Sequence, residues 1–87
     1  MSAYAALMDV DSRVVELIAR VADSDVVRGD PDVRLYERGI LDSIATVELL
    51  VELSREFDID LSPAEVDREE WATPRRIATY IHHRVDR

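Results

Sequence analysis

Apolar residues recur along this chain with helical spacing, and no segment alternates with period two. Val10, Val14, Leu17, Ile18 and Val21 fall at i, i+4, i+7, i+8 and i+11, a single stripe on a helix predicted from about Asp9 to Ala22. A second helix is predicted from about Ser43 to Phe57. A third, short one is predicted over Pro63–Glu69. Ser62 is a good N-cap for it, Pro63 suits its first turn, and Glu65 completes a capping box. A fourth starts with Thr73 as cap and Pro74 behind it, and runs to about Arg84 with Ile77, Tyr80, Ile81 and Val85 inward. Trp71 lies between the last two helices, placed to plug the core. The expected fold class is all-α, a four-helix bundle with a short third helix and a long first loop.

That first loop, residues 23–42, is rich in turn formers: Asp23, Ser24, Asp25, Gly29, Asp30 and Pro31. Its length is unusual inside a compact domain. Val33, Leu35, Tyr36, Ile40 and Leu41 argue that it packs down, with room for a short helical turn near 33–38. A second connection, Asp58 to Leu61, offers Ile59 and Leu61 as core anchors. Residues 1–8 are expected to be a flexible N-terminus and 9–87 a single domain.

The second helix is apolar on too many sides. With Ser43 at zero on a helical wheel, Leu49, Leu50, Leu53, Phe57 and Thr46 fill one arc, and Ile44, Val47 and Val51 fill another. Together they span about 220°, against roughly 100° for an ordinary surface helix. The first arc is expected to face the core and the second to face partners. Glu48, Glu52 and Glu56 lie beside the second at i, i+4 and i+8. Like charges at that spacing cost a helix about 0.2–0.5 kcal/mol per pair, partly relieved here by Arg55. A solvated face could tolerate that cost. An apolar stripe rimmed by acids is also what a recognition helix presents.

Composition narrows the classes. Eighty-seven residues, 47% apolar, make one small domain without room for a large substrate cleft. No apolar run reaches membrane-spanning length and no signal-peptide pattern opens the chain, so a cytoplasmic protein without membrane insertion is expected. Cysteine is absent, which excludes disulfides and thiolate metal sites. His82 and His83 are adjacent and point about 100° apart on a helix, so they do not form a metal pair. The net charge is −8. Residues 42–70 hold ten acids against Arg55 and Arg68, and residues 71–87 hold four arginines against Asp86. Nucleic acid is therefore an unsuitable partner, and basic protein surfaces are suitable ones. All 11 basic residues are arginine, in keeping with the codon usage of a GC-rich genome.

Ser43 stands between the loop and the second helix, in Gly39-Ile40-Leu41-Asp42-Ser43-Ile44. Asp-Ser ahead of an apolar helix is often only a capping pair. A phosphodiester on Ser43 would also lie beside the unpaired N–H groups of a helix start. No Gly-x-Ser-x-Gly elbow, phosphate loop or serine-activating histidine accompanies it, which argues against an enzyme.

Asp42-Ser43-Ile44 resembles the Asp-Ser-Leu signature of the acyl and peptidyl carrier proteins, with Ile in place of Leu. Val47-Glu48-Leu49 and Glu56-Phe57-Asp58 stand where that family has its recognition helix. Phe57-Asp58-Ile59, Ser62-Pro63, Asp67-Arg68-Glu69-Glu70-Trp71, Thr73-Pro74 and Ile77 look like the D-alanyl carrier protein subgroup. The resemblance covers about residues 10–85. It implies a non-catalytic monomer whose Ser43 receives 4′-phosphopantetheine from coenzyme A. It also implies a phosphopantetheinyl transferase, an adenylating amino-acid ligase, and a downstream acyltransferase or synthase as partners. Asp42, Ile44, Val47, Glu48, Val51 and Glu52 would then form the partner-binding face. Arg55 departs from the acidic residue many fatty-acid carriers have there. With the arginine bias, this sets the expectation of an aminoacyl carrier in polyketide or nonribosomal natural-product biosynthesis. The alternatives are a D-alanyl carrier for teichoic acid and an acidic helical interaction module that is never modified.

Overall fold

A computed structural model describes residues 9–85 of the chain; the expected flexible N-terminus, residues 1–8, lies outside them. Helix α1 (Val10–Ala22) starts at Asp9, whose carboxylate accepts the Ser12 N–H at 2.8 Å. It ends at Asp23, held in the left-handed conformation at φ 53°, which Asp tolerates better than most residues. Val14, Leu17 and Ile18 are buried, as the stripe predicts. Helix α2 (Val26–Gly29) is a single turn inside the long loop, anchored by buried Val27. Its two apolar residues are too few to carry a readable period. Helix α3 (Ser43–Phe57) also closes on a left-handed aspartate, Asp58. Helix α4 (Pro74–Val85) packs on α1 and buries Ile77 and Ile81. No strand occurs among the described residues.

The expected third helix is shorter than predicted. Pro63–Glu65 forms one 3₁₀ turn with its capping box complete. Val66 N–H bonds Pro63 O at 3.2 Å, three residues back and not four. The Asp67 carboxylate then takes the N–H groups of Glu69 and Glu70 at 2.8 and 3.2 Å. That local bonding competes with helix continuation.

The long loop packs down through Val33, Leu35 and Leu41, all buried. Two backbone bonds tie it to the far end of the chain: Leu35 N–H to Ala72 O and Arg75 N–H to Pro31 O, both 2.9 Å. The turn anticipated at 33–38 appears as hydrogen-bonded turns over 35–39, closed by Gly39 at φ +70°. A side chain there would be strained, and the reversal aims the chain into α3. Trp71 is fully buried, its ring 5.4 Å from that of Tyr80 and tilted at 58°.

Candidate functional site

The first turn of α3 is built by Asp42, not by Ser43. Asp42 has extended backbone geometry, and its carboxylate accepts the Ala45 N–H at 2.8 Å. Its carbonyl accepts the Thr46 N–H at 2.9 Å and the Thr46 hydroxyl at 2.7 Å. The Thr46 proton is thereby used, so the Tyr36 hydroxyl is the donor in its 2.9 Å contact with Thr46 Oγ1. This chain of bonds fastens the loop to the helix start.

Ser43 is left with nothing structural to do. It is the first helical residue, it is exposed, and its hydroxyl makes no hydrogen bond among the described residues. The capping role that would explain it without chemistry belongs to its neighbour. Two other described serines have hydroxyls with a structural task. The Ser62 and Ser24 hydroxyls accept backbone N–H groups at 3.1 and 3.3 Å. Ser12 gives its backbone N–H to Asp9, and Ser54 is half-buried. Ser43 also edges an open groove of about 290 Å³, lined further by Tyr36, Thr46, Val47, Leu50, Pro63, Val66 and Arg68. A phosphodiester on Ser43 Oγ would meet solvent, the groove and the free N–H groups of the helix start, so the residues present fit such a group.

The two arcs of α3 separate as their spacing predicts. Leu49, Leu50 and Leu53 are buried and Phe57 is half-buried. Ile44 is 74% exposed, Val47 49% and Val51 45%, three large apolar residues on one face of one helix. Single exposed apolar residues need no explanation, but an aligned row calls for one.

The acids divide. Glu56 pairs with Arg13 of α1 at 2.9 Å. Glu52 lies 3.6 Å from Arg20 and 4.0 Å from Arg55. Glu48, beside Ile44 on the helix, has no ion-pair partner among the described residues. The acidic row thus partly braces α1 against α3, and Glu48 is its freest member. Tyr36, Thr46 and Arg68 are the residues around Ser43 that the pattern did not bring forward. Tyr36 and Thr46 read as core, and Arg68 stands 25 positions from Ser43 with no periodic signal joining them.

A family model described as "phosphopantetheine attachment site" matches residues 12–81. A D-alanyl carrier protein of Latilactobacillus sakei subsp. sakei (strain 23K) is 50% identical to the chain over 70 residues, covering 80% of this chain and 90% of that protein.

Proposed function

Because this chain belongs to the phosphopantetheine-attachment family of carrier proteins, we propose that Ser43 bears its arm and that the cargo on the arm is D-alanine. The family makes the protein a carrier and not an enzyme, and makes 4′-phosphopantetheine its covalent cofactor. It also implies a phosphopantetheinyl transferase and a ligase among the partners. When attached, the arm supplies the thiol on which an acyl group is held as a thioester. This chain has no cysteine of its own to compete with that thiol.

The observation that carries the Ser43 assignment is its exposed hydroxyl, without a hydrogen bond among the described residues, beside a cap that already does the structural work. The cargo reading is supported by the D-alanyl carrier relative. The expectation of a polyketide or nonribosomal pathway has no such support, and the D-alanylation alternative fits better. On this reading the ligase selects the amino acid, and the carrier contributes a docking face and a high local concentration of bound cargo. Ile44, Val47 and Val51 supply apolar contact, and Asp42, Glu48 and Glu52 meet basic residues on partners. A small interface with a polar rim suits partners that must each let go.

Loading tests the cargo. Holo protein incubated with ATP, a D-alanine-activating ligase and D-alanine should gain one alanyl mass that hydroxylamine removes, with L-alanine loading poorly. Failure with D-alanine while another amino acid loads would overturn the cargo and leave the carrier standing.

A further inference from the structure

Of the ten described arginines, eight have a carboxylate oxygen within 4.0 Å. Arg38 and Arg68 have none among the described residues. For Arg68 this is unexpected, because it lies in the most acidic stretch of the chain. Its flanking carboxylates are engaged elsewhere. Asp67 takes the Glu69 and Glu70 N–H groups at 2.8 and 3.2 Å. Glu69 lies 3.7 Å from Arg34 and 3.5 Å from Arg76. Arg68 instead rests over the Tyr36 ring, its guanidinium carbon 4.9 Å from the centroid. Tyr36 is itself held to Thr46 at 2.9 Å. Arg68 and Ser43 line the same groove.

We propose that Arg68 binds the phosphodiester of the arm carried by Ser43. This rests on the reading of Ser43 as the attachment point. The guanidinium is held over the Tyr36 ring, and its N–H groups make no hydrogen bond among the described residues. A planar fork of that kind matches two oxygens of a phosphate. The contact would offset the repulsion between the phosphodiester and Asp42. It would also aim the first atoms of the arm along the groove, past Pro63 and Val66.

Nuclear magnetic resonance of apo and holo protein tests this directly. Converting apo to holo should shift the Arg68 Nε–Hε signal and leave that of Arg38, the other arginine without a carboxylate partner, in place. The ³¹P signal of holo Arg68→Ala should differ from that of wild type, and Arg68→Lys should fall between them. In about 1 M salt, where the screening length is about 3 Å, the wild-type and Arg68→Ala signals should converge. Arg68 is exposed, and emission from buried Trp71 reports whether each variant is folded. A holo protein carrying its arm on Ser43, with Arg68 Nε–Hε unmoved and ³¹P signals identical in wild type and Arg68→Ala, overturns the proposal alone. An arm found on another residue overturns it together with the Ser43 assignment.

Discussion

Asp42 and Ser43 are both good helix caps by residue type, and neighbours of that kind look alike in a sequence. The backbone separates them, since Asp42 is extended and Ser43 is already helical. The consequence is measurable. Asp42→Ala should lose about 0.5–2 kcal/mol of stability, the usual worth of an N-cap. Ser43→Ala should stay within about 0.5 kcal/mol of wild type, as exposed substitutions without partners do. Denaturant unfolding followed through Trp71 measures both, and a Ser43→Ala loss as large as that of Asp42→Ala would return Ser43 to a structural role. Glu52 and Glu56 teach the reverse lesson. Their spacing reads as an outward acidic face, yet Arg20 and Arg13 of another helix reach them. Periodicity reports which side a residue is on, not which long cation arrives there.

At the scale of elements, α3 was the most legible part of the chain, because fifteen residues provide enough turns to separate two apolar arcs. Its exposed arc predicts that Val47→Asp and Glu48→Arg slow loading of the arm several-fold. Both side chains are exposed, so helicity by circular dichroism should be unchanged. Normal loading of both variants would remove this face from the docking surface. The 3₁₀ turn was legible only at its start, where capping box and proline agree. Its early end depends on Asp67 bonding locally, which competes with a helical pattern without erasing it. Glu65 clamps that turn to α4. It accepts from the Tyr80 hydroxyl at 2.7 Å and the Ser62 N–H at 3.1 Å, and pairs with Arg84. The Tyr80 hydrogen bond, followed by Ser62 and Arg84, holds its carboxyl below the ordinary 4.5. A depressed carboxylate pKa contributes stability above the ordinary value and loses it as pH falls through the folded one. The gap in Tm between wild type and Glu65→Gln should therefore be widest above pH 4.5 and narrow in stronger acid. A gap that is constant or widens in acid would contradict the clamp.

In the whole molecule, the all-α bundle and its buried Trp71 were legible because helical stripes and one large aromatic leave few other arrangements. The path of the long loop was legible only as packing down. Its ties, Leu35 to Ala72 and Arg75 to Pro31, are backbone bonds between distant segments and carry no side-chain signature. The groove beside Ser43 was invisible for the same reason, since Tyr36, Ser43 and Arg68 come from three separate stretches. Charge follows a similar course. The basic C-terminal segment pairs back onto the acidic middle through Arg76–Glu69 and Arg84–Glu65. Glu48, in the half of α3 that begins at Ser43, is among the carboxylates left without an ion-pair partner among the described residues. The assignment on which the rest depends is the Ser43 hydroxyl, and intact mass reads it most directly. Purified protein given coenzyme A and a promiscuous phosphopantetheinyl transferase should gain the mass of one phosphopantetheine, and Ser43→Ala should gain none. Wild type that stays bare, or a Ser43→Ala variant that gains as much, would contradict the account.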